Sequence, residues 1–232
     1  MSLRVRSTAP ELMDDPALDM AVYQRCLRDL AAVNRVTFTH AGTLRWLARA
    51  MRDLPKDHEI SILDVAYGQG DLLRAIAAWG RAQNRKLRLA GIDLNPRSAV
   101  AAAAATPAGL EIAYLTADVF GYVPTAPVDF IVTSQFTHHL PDEDILRLLR
   151  WLEATARRGW FIKDLQRHAV AYYGFRWLAR LCGWHRIVRL DGTVSIARGF
   201  TRPAWRALLA RAGVEARISW QPVFRFGIGR VK

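Results

Sequence analysis

Leu63-Asp64-Val65-Ala66-Tyr67-Gly68-Gln69-Gly70-Asp71 is the stretch on which the fold is read. It begins inside an apolar run of strand length, Ile60 to Ala66, and leads into a helical pattern from Asp71 to Gly80. Glycines at 68 and 70 let the chain turn sharply and let a ligand approach the backbone. The helix behind them aims free N–H groups at whatever lies there. By itself, a glycine pair after a strand is equally the mark of a plain turn.

Outward from this turn, strands and helices alternate. A strand over 87–93 is followed by a helix from Pro96 to about Ala105, a third strand over 110–115 and a fourth over 128–134. A helix over 142–156 precedes a fifth strand, 160–164. Apolar strands joined by helices predict an α/β, Rossmann-like, doubly wound and mostly parallel sheet. Two closing strands, about 214–220 and 223–231 with Pro222 between them, add an antiparallel edge pair and bring the sheet to seven strands. Residues 1–55 read as an N-terminal helical lid segment and 56–232 as the main domain. In the lid, Pro10 to Pro16 is a turn, and Asp14 or Asp15 caps the helix that carries Leu18, Val22, Leu27, Leu30 and Val33. Asn34 to Thr39 breaks the pattern, Leu44, Leu47, Ala48 and Met51 resume it until Pro55, and the link Asn34 to His40 completes the lid. A helical insertion at about 166–200 is read as a helix to 184 and then an irregular Arg-rich connection, before a helix opening near Thr201-Arg202-Pro203.

Two acids follow the next strands. Asp93 ends Ala90-Gly91-Ile92-Asp93, where a carboxylate can accept hydrogen bonds from both hydroxyls of a ribose. Asp118, in Thr116-Ala117-Asp118-Val119, is placed to take the exocyclic amine of an adenine. Either acid alone is also an ordinary cap or loop residue; the order after consecutive strands is what points to a nucleoside. At these residues the chain resembles the class I S-adenosylmethionine (SAM)-dependent methyltransferases, with Asp64-x-Ala66-x-Gly68-x-Gly70 standing for their glycine-rich loop. Ala66 departs from the glycine usual there. The resemblance covers about residues 60–165 and implies SAM as cofactor, with S-adenosyl-L-homocysteine (SAH) as product. It further implies Gly68 and Gly70 beside the methionine part, Asp93 at the ribose, Asp118 and Val119 at the adenine, and Leu94 within the same donor site. Asp64, Ala66, Tyr67, Ser134 and Gln135 complete the expected donor site. A dinucleotide fingerprint would want a small residue three places after the second glycine, where this chain has Leu73.

The acceptor side is read from Thr133-Ser134-Gln135-Phe136-Thr137-His138-His139-Leu140-Pro141-Asp142, at the carboxyl end of the fourth strand. Imidazoles there suit proton transfer near neutral pH. The stretch resembles small-molecule methyltransferases with a hydrophobic-His-His-Leu-Pro-Asp loop, some quinone and phospho-base enzymes among them. That match makes His139 the preferred base and His138 the second; the alternative is that one histidine caps the helix beginning near Asp142 and neither touches substrate. His168, just past Asp164 of the fifth strand, is a third candidate base. Tyr172, Tyr173, Phe175 and Trp177 read as walls for an aromatic or lipidic acceptor, or equally as a helix packed on its own core. The expected reaction is methyl transfer to a hydroxyl of a small, largely apolar phenol, polyketide or quinone precursor. C- or N-methylation and RNA methylation stay open.

Bulk properties narrow the class. A 232-residue chain that is 51% hydrophobic builds one core and is not disordered. Net charge is +12, yet only Lys56, Lys86, Lys163 and Lys232 are lysines, and the arginines recur at the spacing of wet helix faces. Nucleic acid is therefore not the expected partner, and no Asn-Pro-Pro-Tyr-like signature follows the fourth strand. Cys26 and Cys182 form no paired motif, and no carboxylate–amide set for Mg²⁺ is assembled, so no metal is expected. Met1 to Pro10 has no apolar leader run, and Arg176 and Arg180 break the greasy stretch 169–184, so a cytoplasmic protein without a transmembrane segment is expected, with a homodimer open.

Overall fold

The computed structural model describes residues 3–232; Met1 and Ser2, which open the stretch read as lacking a leader run and the 1–55 segment, lie outside them. Strands β1 (Ile60–Val65), β2 (Leu87–Asp93), β3 (Ala113–Thr116), β4 (Val128–Ser134) and β5 (Ala156–Leu165) are parallel, and β6 (Arg217–Gln221) and β7 (Arg225–Val231) close the sheet. The order is β3-β2-β1-β4-β5-β7-β6, with β7 antiparallel to both its neighbours. This is the expected Rossmann-like fold. The order reverses between β1 and β4, and their carboxyl ends open the crevice in which α/β sheets bind ligands.

Both faces of β1 are apolar because both are covered. Ile60 and Ile62 pack under α2 (Thr39–Ala50) and α3 (Asp71–Ala82) with Leu47, Leu73 and Ile76. Leu63 and Val65 pack on the other side with Ile145, Leu149 and Trp205 of α5 (Asp142–Thr155) and α8 (Arg202–Ala212). Helix α4 (Pro96–Ala105) starts with Asn95 accepting from Arg97 N and proline in the first turn.

Four local expectations are corrected. Asp19, not Asp14 or Asp15, caps α1 (Met20–Val36), accepting from Ala21 N and Val22 N, because a short 3₁₀ turn over Leu12–Asp14 and a further turn delay the helix. Strand β3 begins three residues late, since Leu110 N is still bonded to Pro107 O. Strand β5 begins at Ala156, four residues before Trp160, directly behind α5. The Arg-rich stretch after α6 (Ala169–Leu181) is helical, α7 (Arg186–Arg198), capped by His185 accepting from Ile187 N. Its β-branched residues and Gly192 disfavour a helix locally, but tertiary packing overrides them. A Cβ on Gly192 would lie 2.2 Å from the Phe175 ring, so glycine there permits α6 and α7 to meet. Cys26 and Val33 of α1, Ala179 of α6 and Val188 of α7 share one cluster, so the N-terminal segment and the insertion form a single helical layer over the strand ends.

Candidate active site

The turn after β1 is held by its own backbone. Ala66 N donates to Ile92 O at 2.8 Å and Gly70 N to Tyr67 O at 2.7 Å. Ala66, Gly68 and Gly70 have φ of 60°, 54° and 73°, so the alanine sits in the left-handed region at a steric cost of about 1 kcal/mol. Asp93 spans the turn: its Oδ2 accepts from Gly68 N and its Oδ1 from Asn95 N, each at 2.9 Å. Burial raises the Asp93 carboxyl above its usual range, and those two amides and Ser98 partly oppose the rise.

Two cavities meet here. The larger, about 800 Å³, is lined by Asp93, Leu94, Asp118, Val119 and Phe136. The smaller, about 390 Å³, is lined by Tyr67, Ser134, His138, Phe175 and Arg225. Glu11, Leu30, Ala66, Gly68, Gln135 and His139 belong to both walls. Of the residues expected to hold the donor, Asp64 and Gly70 line neither cavity. Asp64 lies on the α3 side of β1, fully enclosed, and burial together with Asp71 and Asp93 pushes its carboxyl well up. Gly70 is the residue before α3, and a Cβ there would strike Tyr114 Oη at 2.5 Å. Tyr67 reaches the wall, but its ring packs on Gly91 and tilts against Tyr114, with centroids 5.0 Å apart. The remaining expected donor residues line one or both cavities. Ser134 Oγ and Tyr67 Oη are buried without a partner, which leaves polar atoms for a ligand to satisfy. Both atoms belong to residues on the wall of the smaller cavity.

The histidine turn is built with unusual care. His138 Nδ1 bonds Asp164 Oδ1 at 2.7 Å, His138 N donates to Oδ2 at 3.0 Å, and Thr137 Oγ1 donates to the same oxygen. Burial would raise the Asp164 carboxyl, but His138 and these hydrogen bonds hold it down at about 2. Arg198 donates to the carbonyls of His138 and His139 at 3.0 and 2.9 Å, and Arg6 to those of His138 and Leu140 at 3.0 and 2.7 Å. Some arginines are therefore interior scaffolding. His139 lies between two acids, its Nε2 3.9 Å from Glu11 Oε2 and its Nδ1 3.4 Å from Asp14 Oδ2. His168 lies on neither wall: it caps α6, accepting from Val170 N at 3.2 Å, and stacks on Phe224 at 4.8 Å. Of the four insertion aromatics only Phe175 lines a cavity; Tyr173 and Trp177 face outward, and Tyr172 meets Tyr173 edge-on.

Sequence reading missed several residues. Glu11 is buried at the junction, where Ser195 Oγ donates to its Oε1 at 2.8 Å. Burial raises its carboxyl pKa, with His139, Ser195 and Arg198 opposing the rise. The segment carrying it is tied to α7 through Leu12 N and Met13 N, both donating to Asp191 at 2.9 Å. Asn34 links α1 to the site, donating to Asp71 Oδ2 at 2.9 Å and accepting from Gln135 Nε2 at 2.8 Å, while His40 Nε2 lies 3.0 Å from the same Asp71 oxygen. No sequence signal joins positions so far apart, and Asn34, where the helical pattern reads as broken, lies inside α1, which runs on to Val36. Glu11, His138 and His139 bring one ligand-type atom each within 4.8 Å of one another, a grouping the reading without a metal did not assemble. Arg198 Nη1, 3.8 Å from Glu11 Oε1, already supplies positive charge there.

Residues 62–159 match the family described as methyltransferase domain. No curated protein matches the sequence. Among solved structures, a plantazolicin methyltransferase in complex with a triazolic desmethyl analogue and SAH superposes with TM-score 0.67 at 15% identity, covering 90% of each chain. Magnesium protoporphyrin IX methyltransferase from Synechocystis PCC 6803, with bound SAH, gives TM-score 0.56 at 13% identity over 95% of this chain and 91% of that one. The pyocyanin biosynthetic protein PhzM gives 0.54 at 22% identity, over 79% and 53%.

Proposed function

From the premise that this chain carries a class I SAM-dependent methyltransferase domain, we propose that it methylates a hydroxyl of a small, largely apolar acceptor such as a phenol, polyketide or quinone precursor. The observation that carries this reading is the position of His139 on the wall common to the two cavities, where donor and acceptor would meet. Asp93 and Asp118 would hold SAM beside the Gly68 turn, and SAM when bound supplies a methyl group on an electrophilic sulfonium. In-line alignment does most of the remaining work. A phenol of pKa about 10 is mostly protonated at neutral pH, so a positioned base contributes about 10²–10⁴ in rate. His139 is that base. His138, locked to Asp164, positions it, and Glu11 faces both imidazoles. Leu27, Val33, Phe175, Leu178 and Ile196 give the smaller cavity the apolar wall such an acceptor needs. Helices α1 and α2 act as the lid, with Asn34 bridging to Gln135 when closed. The plantazolicin enzyme in complex with a triazolic analogue and SAH supports a ring-bearing ligand beside the donor on this fold.

The test is His139→Ala, assayed by transfer of labelled methyl from SAM to a panel of phenols and by calorimetry with SAH. Turnover should fall by about 10²–10⁴ with SAH affinity unchanged. Turnover that survives the substitution would remove the base assignment.

A further inference from the structure

Helix α6 is apolar in a place where little packs on it. Its sequence, Ala169 to Leu181, contains no acidic residue, and only Ala179 is buried. Val170, Tyr173, Trp177 and Leu181 are 59, 56, 68 and 83% exposed. At 3.6 residues per turn these four fall within an arc of about 80°. Arg176 and Arg180 border one side of that stripe, while Ala171, Gly174 and Leu178 on the other side line the smaller cavity. The outward stripe is thus continuous with the cavity mouth.

The mouth continues the pattern on other elements. Val223, 45% exposed, lines the cavity, and Val36 and Phe38, 50 and 72% exposed, flank Thr37, which also lines it. Phe38, Val223 and Phe224 have φ of 51°, 60° and 53°, a left-handed conformation that side chains of their bulk rarely adopt. Phe224 stacks on His168 at the start of α6, joining the β6–β7 turn to the stripe.

We propose that this face docks on an anionic lipid bilayer, and that the apolar acceptor passes from the membrane directly into the smaller cavity. Charge selects this occupant. From Ala169 to Leu190 the chain has Arg176, Arg180, Arg186 and Arg189 and no acidic residue, within a protein of net charge +12. An apolar stripe containing tryptophan and tyrosine with arginines alongside is the composition of a helix that lies in the headgroup region. A second copy is the poorer fit, because a two-fold contact sets each patch against itself and would bring these arginines together. Nucleic acid would answer the arginines but leave Val170 and Leu181 without a partner. No described helix is long and apolar enough to cross the bilayer, so contact is at the surface. The proposal deepens the acceptor reading, and its test uses binding alone, so either can fail while the other stands.

The experiment is co-sedimentation of the full chain with phosphatidylcholine vesicles, with and without equal phosphatidylglycerol, at physiological salt. Partitioning should be at least about tenfold stronger on the anionic vesicles, since each arginine near the surface contributes several-fold. The double variant Trp177→Ser, Leu181→Ser should lower it a further tenfold or more, with SAH affinity unchanged. Absence of binding to anionic vesicles would overturn the proposal. So would binding that ignores the double substitution, retention on single-stranded RNA in preference to vesicles, or a dimer in solution that the same variant dissolves.

Discussion

Replacing Asp164 by asparagine probes the histidine turn most sharply. The carboxylate accepts from four donors: His138 Nδ1 and Leu165 N on Oδ1, both at 2.7 Å, and His138 N and Thr137 Oγ1 on Oδ2. An amide keeps one acceptor oxygen and turns the other site into a donor, so a backbone N–H must face an NH₂. Breaking a buried pair in this way costs about 3–5 kcal/mol at neutral pH. The pH dependence follows from the low pKa of about 2. A carboxyl depressed on folding stabilises the native state above the unfolded value near 4 and loses that contribution as pH falls toward 2. Asp164 therefore contributes about 2 kcal/mol at pH 7, and the gap between wild type and Asp164→Asn should narrow by about 1 kcal/mol from pH 5 to pH 3. Urea unfolding across that range measures both quantities. A variant as stable as wild type at pH 7, or a gap that does not change with pH, would refute the reasoning.

Lys163 gives the opposite sign. It is buried, donates to Thr39 O and makes no ion pair among the described residues, and burial with Arg225 and Arg45 lowers its ammonium to about 7. The unfolded chain then binds more protons between pH 7 and 10, so stability should rise by about 2 kcal/mol from pH 7 to 9. Lys163→Met should remove that rise and be the more stable protein at pH 7 by urea unfolding; a destabilised variant with the same slope would contradict this. Ala66→Gly relieves the left-handed alanine and should raise Tm by about 1–3 °C with SAH affinity retained, as thermal unfolding and calorimetry will register. A lower Tm would show that Ala66 is not strained.

What was legible in the chain was what depends on near neighbours. The turn at 66–70, Asp93 after β2 and the order of the parallel strands follow from periodicity and punctuation within a few dozen residues. Leu73, which disfavoured a dinucleotide, is fully buried against the sheet. What was illegible depends on distant partners. Helix α7 exists because Gly192 admits Phe175, and nothing near Gly192 announces that contact. Glu11 reaches the site because Asp191, 180 positions away, holds the backbone beside it. Tyr173 and Trp177 had the residue types of a pocket wall, but their direction is set by where α6 lies on α1 and α7, which periodicity alone does not fix. Asp64 and Gly70 are parts of the glycine-loop pattern that shape the turn without touching the cavities.

Calorimetric titration of SAH into wild type and Asp93→Ala bears most directly on the donor cradle. Wild type should bind with micromolar Kd. The variant, lacking the carboxylate that ties Gly68 to Asn95 and that we propose receives the ribose hydroxyls, should bind about 100-fold more weakly or not at all. Equal affinity in the two proteins would contradict the account.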